Sequence, residues 1–408
     1  MTLQLVSVIV PTRNPSGLLL EAVESVYAQV ELGTRFRIEV VVVDDGSGHP
    51  EPERRALLRR YPGLVFIGLP EQRGQSAARN VGIKASSGDY IAFLDDDDVW
   101  LPGKLAQQVP VLERRPSAGV VFSPIIIRFE DRDWVFPAAR QAPSGWVLRA
   151  LCRDLFIGNP LSVLVRRGVL ERAGFFDETL PVLVDYDLWL RLALQAPFSF
   201  LPGVVAIYRR STGGTFFSRS RRGAGEHALR QIFANIASWL PQRQEFARLR
   251  RELPGWLAMH LARHQGILGD LDRMRAQVLE ALACHPWLAG DAATRRSIAE
   301  MVRKLAFASP SPVAVARRFE EDVRRATSGA GFRHRRAVRR VVGEVWAELA
   351  VGLAYHRRPP ARDDAARAAV AAIIHDATKL MRRTLPWIIG QMPLRFPRIA
   401  GGAPETPA

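Results

Sequence analysis

Four consecutive carboxylates, Asp95-Asp96-Asp97-Asp98, end a short apolar run from Tyr90 to Leu94. The run is short and bounded, and it reads as a buried strand. Adjacent like charges repel, and burying them without a cation costs more than folding returns. At the carboxyl end of a strand in an α/β sheet, where ligands bind, such a cluster is well placed to hold a divalent metal. Taken alone, the cluster is equally an acidic loop in solvent. A second apolar run, Ile38 to Val43, ends the same way in Asp44-Asp45-Gly46-Ser47, so two carboxylate-tipped strands in one sheet build an acidic rim. A third acidic site, Asp185-Tyr186-Asp187, opens a helix whose first turn is favoured by negative charge.

These side chains need a scaffold, and the surrounding pattern supplies one. Val6 to Pro11 is a compact apolar strand stopped by a Thr12-Arg13-Asn14 turn, and Leu18 to Gln29 has helical spacing. The strand at Ile38–Val43 is apolar on both faces, which means a sheet covered on both sides and therefore mostly parallel. A charged helix (Pro52 to Tyr61), a short strand (Leu64 to Gly68) and a small-residue helix (Gln75 to Ala85) lead into the Tyr90 strand. Beyond it, the pattern predicts a helix over Lys104–Leu112, a strand over Val120–Phe129, a helix over Gly145–Leu155 and a strand over Leu161–Val165. Phe198 to Tyr208 closes the domain. From Glu226 onward the chain reads as helical throughout; Leu261 to Pro286 has the spacing of a single tetratricopeptide-like helix–turn–helix. Ala361 to Met381 is an Ala-rich amphipathic helix. The expected organisation is an α/β domain over 1–215, a linker over 216–225, a basic helical domain over 226–400 and a disordered tail over 401–408.

Bulk composition narrows the function classes. The 408 residues are 48% hydrophobic and 24% charged, ordinary for a soluble globular chain. Two cysteines, Cys152 and Cys284, cannot make a disulfide framework or a thiolate metal site, which suits a reducing cytoplasm. Met1 to Pro11 lacks a basic n-region and a cleavage site, so no secretory signal is expected there, and no apolar run reaches the ~18 residues of a membrane span. The net charge of +16 is lopsided: residues 1–220 hold 25 Lys and Arg against 24 Asp and Glu, and residues 221–408 hold 32 against 17. A basic half of this kind points to an anionic partner or simply to an Arg-rich proteome. Nucleic acid is disfavoured, because Arg333–Arg340 has little aromatic interleaving and no recognised module surrounds it.

Four motifs in order carry a family resemblance: SVIVPTRN (7–14); VVVDDGS (41–47); SAARNVGI (76–83) with SGDYIAFLDDDDVWLPGKL (87–105); and GFFDETL (174–180) with DYDLWLRLA (185–193). Together they resemble the family 2 glycosyltransferases with a GT-A fold, over roughly residues 5 to 212. The resemblance implies a GT-A nucleotide-sugar-binding domain with a mostly parallel sheet, followed here by the all-α region. It implies inverting transfer of a sugar from a nucleoside diphospho-sugar with a divalent metal, Mn²⁺ or Mg²⁺. By the same resemblance Asp97 is the chief metal ligand, with Asp95 and Asp96 on the ribose or supporting the ion through water. Asp98 is a helix-start residue. Asp45 and Asp44 accept from the nucleobase or ribose, Arg79 touches base or phosphate or pairs with a neighbouring Asp, and Pro11 and Arg13 line the nucleotide pocket. Asp185 is the base that deprotonates the acceptor hydroxyl. Asp187 is the runner-up, better suited to capping its helix or contacting Arg191.

Two departures from the family pattern stand out. The acidic pair before LWLR has Val184 in its first position, and the Tyr-Arg-x-His element reads Tyr208-Arg209-Arg210-Ser211, with Arg209 or Arg210 left to hold the diphosphate. The processive Q-x-x-R-W signature is absent, which points to single-sugar transfer. The expected acceptor is a glycan or lipid-linked precursor of a cell-surface polysaccharide, met at the cytoplasmic face of a membrane whose anionic headgroups the basic half touches. The competing expectation is a non-catalytic adaptor that keeps the fold and binds a protein through its helical half.

Overall fold

The computed structural model describes residues 3–47, 51–129, 133–136, 142–209, 220, 223–240, 242, 244–307, 311–326 and 332–355. The chain divides into two compact units, Met1–His260 and Leu261–Ala408. Two helices beyond residue 226 therefore stand wholly or in part with the α/β unit.

In the first unit a seven-stranded sheet is built from β1 (Gln4–Thr12), β2 (Phe36–Asp44), β3 (Val65–Gly68), β4 (Tyr90–Phe93), β6 (Val120–Phe122), β9 (Val163–Arg166) and β10 (Phe198–Phe200). Their spatial order is β10-β6-β9-β4-β1-β2-β3. β1 pairs in parallel with β2 and β4, β2 with β3, and β10 with β6; only β9 runs antiparallel to its neighbours. Val6, Val8, Ile9 and Val10 of β1 and Val40 to Val43 of β2 are fully buried, as two-sided apolar runs require.

Parallel pairing decides where the chemistry goes. Thr12 lies opposite Asp44, and Ile9 opposite Phe93, so the carboxyl ends of β1, β2 and β4 share one edge. The ladder is extended past the strands by Asp45 N to Thr12 O at 2.8 Å and Leu94 N to Ile9 O at 3.1 Å. The acidic rim predicted from two separate motifs is thus a single edge.

Helices α1 (Gly17–Tyr27), α2 (Glu51–Arg60), α3 (Gln75–Ala85), α4 (Lys104–Arg114), α5 (Leu148–Arg153), α6 (Arg167–Ala173) and α7 (Val184–Gln195) accompany this sheet. α3 approaches β1 and β2 so closely that a Cβ on Gly82 would lie 2.6 Å from Ile9 Cγ2. A second sheet joins β5 (Val99–Trp100), β11 (Ala206–Arg209), β7 (Ile125–Arg128) and β8 (Asp133–Phe136) in that order. The single strand expected over Val120–Phe129 is therefore two, β6 and β7, in different sheets. Pro124 has no N–H to donate, so the ladder breaks there and the chain changes sheet. The helix expected from Gly145 begins at Leu148, because Gly145 has φ +91° and bridges Phe198 instead.

α8 (Ala224–Trp239) buries Ala228, Leu229, Ile232, Phe233 and Ile236 along one stripe. α9 (Ala247–Leu268) contains the division between the units. The second unit continues with α10 (Leu271–Cys284), α11 (Ala292–Phe307), α12 (Pro312–Ala326) and α13 (Phe332–Tyr355). The expected helix–turn–helix is α9 and α10, turning at Gly269 with φ +82°. Arg295 pairs with Glu344 at 2.9 Å, and Trp346 Nε1 donates to Glu320 at 2.9 Å. The predicted helix over 361–381 and the tail over 401–408 lie outside the described residues.

Candidate active site

The rim is assembled from backbone turns that the acids themselves stabilise. Asp44 accepts from the backbone N–H of Ser47 at 3.1 Å and from its hydroxyl, and that hydroxyl accepts from Asn14 N at 2.7 Å. The turns after β1 and β2 are so tied together. Asp45, 5% exposed, accepts from Arg73 N at 2.7 Å and Gly74 N at 2.9 Å, the two backbone donors just before α3. Gly46 permits this turn: at φ +71°, a Cβ would sit 2.4 Å from the Glu71 carbonyl carbon. Pro11 is buried in β1 and Arg13 is exposed at its tip, within backbone reach of Asp96.

The four acids after β4 have four different environments. Asp95 Oδ1 receives Arg79 Nη2 at 2.5 Å, and Arg79 is buried, with its guanidinium 5.3 Å from the Phe176 ring centre and Nη1 on Gln75 Oε1 at 3.1 Å. The pairing of Arg79 with a neighbouring Asp, one of the two expected uses of this cation, is the one seen. Asp96 accepts from Thr12 Oγ1 at 2.5 Å; burial raises its carboxyl above the usual range, against the pull of that hydrogen bond. Asp97 is the exposed member. Loss of hydration in the crowded rim, then the charges of Asp95 and Asp96, push its carboxyl up to about 6. Asp98 is fully buried, accepting from Arg209 N at 2.8 Å through one oxygen and leaving the other without a hydrogen-bond partner among the described residues. Burial first, then Asp95 and Asp97, hold Asp98 well above the carboxylate range. Asp98 is not a helix-start residue, since α4 begins at Lys104; it anchors the end of β11.

Asp185 lies partly buried in the first turn of α7. Burial pushes its carboxyl up to about 6, opposed by the Tyr186 N–H that it accepts at 2.9 Å and by the Arg79 charge, and reinforced by Asp95. Asp185, Arg79 and Asp95 thus form one electrostatic group, although they come from α7, α3 and the end of β4. Asp187 is 1% exposed and held by Arg191 Nη2 at 2.6 Å, the Arg191 contact expected of it. Val184, where the family has an acid, is 4% exposed and part of the core. Arg209 bonds Glu21 and the Asp97 carbonyl; Arg210 and Ser211 lie outside the described residues.

Sequence reasoning missed Asn80 and Thr12. Asn80 gives and takes hydrogen bonds with the Phe176 backbone, both at 2.9 Å, and donates to Glu178 at 2.9 Å, which clamps the Gly174–Glu178 turn onto α3. The signal was present, since Asn80 follows Arg79 in the SAARN motif and Phe176 lies in GFFDE, but only the fold shows that these motifs touch.

The rim offers oxygen donors of the kind a hard divalent cation takes, with three of the four carboxyls raised by burial first and then by their neighbours' charge. Among the described residues no three His, Cys, Asp or Glu side chains converge on one point.

A mostly parallel sheet with acids on its carboxyl edge puts the candidate site where open α/β folds bind their ligands. The profile described as Glycosyl transferase family 2 matches residues 7–167, covering β1 through the start of α6. An uncharacterized glycosyltransferase of Rickettsia conorii is 32% identical over 206 residues, covering 48% of this chain. The chain spans about a third of that relative's length, the aligned share being 32%. An uncharacterized protein of Mycobacterium tuberculosis is 30% identical over 306 residues, covering 69% of this chain and 90% of its own length. The structure of Staphylococcus aureus TarS 1-349 with UDP-GlcNAc superposes with a TM-score of 0.51 at 16% identity, over 91% of this chain and 92% of TarS. The same protein without that ligand gives 0.50 at 17% identity. The chain belongs to glycosyl transferase family 2 through the domain over residues 7–167.

Proposed function

We propose that this chain transfers a single sugar, with inversion, from a nucleoside diphospho-sugar to an acceptor hydroxyl, with Asp185 as the base. The reading is supported by the placement of Asp185 in the first turn of α7, in the field of the Arg79–Asp95 pair at the rim, where burial raises its carboxyl to about 6. A base needs a pKa close to working pH, and an ordinary exposed Asp is too weak. Asp185 takes the acceptor proton as the hydroxyl oxygen attacks the anomeric carbon. The bond from that carbon to the diphosphate breaks on the opposite face, and the nucleoside diphosphate leaves.

The nucleoside would lie over β1 and β2, against Pro11 and Arg13, with Asp45 and Asp44 beside base or ribose and Asp96 near the ribose. Asp97, with Asp95, would hold Mn²⁺ or Mg²⁺. Bound there, the ion neutralises charge that develops on the departing diphosphate. Arg79 supplies a buried cation on the same side. Support for the donor class comes from the shared fold with TarS, which has been solved with UDP-GlcNAc.

The acceptor reading, a glycan or lipid-linked precursor at a cytoplasmic membrane face, rests on the basic second half of the chain. No helix among the described residues is long and apolar enough to cross a membrane. The non-catalytic adaptor is disfavoured, because Asp45, Asp95, Asp97 and Asp185 all stand at or beside one rim.

The test is a panel of UDP-, GDP- and dTDP-sugars with Mn²⁺, Mg²⁺ or EDTA, on the wild type and Asp185→Asn. The expected result is metal-dependent release of nucleoside diphosphate from one donor, lost in the variant while donor binding persists. Failure of every nucleotide sugar to bind would overturn the reading.

A further inference from the structure

The first turn of α7 is poorly secured by local structure. Leu183, the residue before it, has φ +59° and ψ +26°, a left-handed conformation that a branched apolar side chain adopts only at a cost. It provides no side-chain cap. Asp185 turns its own carboxylate onto Tyr186 N, a local bond available to any Asp in this position. A strained, uncapped turn persists only where packing elsewhere over-determines it.

Tyr186 supplies that packing. Its side chain is 1% exposed, and its hydroxyl donates to the Leu151 carbonyl of α5 at 3.0 Å. The same hydroxyl lies 3.2 Å from His260 Nε2, which is also 3.0 Å from the Cys152 carbonyl. A carbonyl can only accept, so Nε2 carries a hydrogen; the Tyr186 proton is already used on Leu151. The imidazole N–H is therefore shared between the Cys152 carbonyl and the Tyr186 oxygen. Phe233 of α8 packs on the imidazole with ring centres 5.4 Å apart. Glu252, about two turns earlier in α9, binds Arg149 of α5 through two 2.8 Å contacts, fixing the same pair of helices.

We infer that Tyr186 and His260 are positioning residues for Asp185. They fasten the strained start of α7 to the end of α5 and to α9, and so fix the direction from which the carboxylate meets the acceptor hydroxyl. His260 lies beyond the last of the family-like motifs, DYDLWLRLA at 185–193, so the base of this enzyme is oriented by a residue outside those motifs. Small misplacements of a catalytic group are costly: an error near 1 Å is worth about 10²-fold.

The inference rests on Asp185 being the base, and the experiment separates the two. Full-length wild type, Tyr186→Phe, His260→Leu, His260→Gln and Asp185→Asn are compared. Hydrogen exchange of the backbone amides over residues 183–187 is measured without ligand, and turnover is measured with the donor selected from the panel above. Tyr186→Phe and His260→Leu should speed exchange in this segment about tenfold or more while leaving the central strands unchanged. Their kcat should fall about 5- to 50-fold with donor KM within about twofold of wild type. His260→Gln, whose Nε2 can donate from nearly the same place, should recover most of both. If exchange and kcat match wild type in both Tyr186→Phe and His260→Leu, the positioning role is refuted even though Asp185→Asn is inactive. Equal slowing of His260→Gln and His260→Leu would also refute it, since packing and not the donor would then matter. If Asp185→Asn retains turnover, the base assignment fails and the inference falls with it, whatever the exchange data show.

Discussion

Replacing Asp185 with Asn should make the protein more stable and nearly inactive. Folding moves this carboxyl from about 3.8 to about 6, so the folded state holds the proton more tightly than the unfolded chain does. That preference contributes stability below about pH 4, and the contribution is lost as pH rises through about 6. Near pH 7.5 the wild type therefore carries an ionised group in a site that disfavours ionisation. Roughly two pH units correspond to about 3 kcal/mol, and partial exposure screens this to about 1–2 kcal/mol. Asn is neutral and can still accept from Tyr186 N, so it removes the penalty and keeps the turn. For a unit of 260 residues the gain should appear as a melting-temperature rise of about 2–6 °C at pH 7.5, shrinking towards zero near pH 4. Turnover should fall by about 10²–10⁴. In the wild type, kcat/KM should drop about tenfold between pH 7 and pH 5, as protonation removes the base. Thermal unfolding of both proteins across pH 4–8, with a parallel pH–rate profile, checks this. A variant less stable than wild type at pH 7.5, or a stability difference independent of pH, would refute the reasoning.

Substitutions at two further positions test how the rim and its neighbouring turn are held. Asp98 is kept protonated at neutral pH by burial and by Asp95 and Asp97, so Asp98→Asn should alter stability by less than about 0.5 kcal/mol, whereas Asp98→Ala strands the Arg209 N–H and should cost about 1–3 kcal/mol in urea unfolding. Asn80→Ala removes the clamp on the Phe176 backbone and should cost about 2–4 kcal/mol, with the added exchange appearing at residues 174–178.

Much of the architecture was legible because its signals are local. Two-sided apolar runs at β1 and β2 require a covered sheet, and acids at the ends of β2 and β4 require a polar edge. The break between β6 and β7 was missed because a ten-residue apolar stretch outweighed one proline. The absent N–H of Pro124 is a local fact, but whether it ends a strand or sits at a sheet edge depends on the neighbouring strand. Asp98 was misplaced for a similar reason, since four identical residues in a row give the sequence no means of telling them apart.

By itself the sequence determined the order of elements from β1 to β4, the two acidic strand ends, a helix opening around Asp185 and the charge imbalance between the halves. These depend on residue type and on spacing along the chain, which are complete in one dimension. Only the tertiary structure decided which acids share a partner. It put Arg79 on Asp95 and within the field of Asp185, turned Asp98 inward to Arg209, and made Val184 a core residue. It also brought His260 to Tyr186, 74 positions away along the chain. The physical reason is that hydrogen bonds and screened charges act over a few ångströms, and which groups come within that range is fixed by strand register and helix packing.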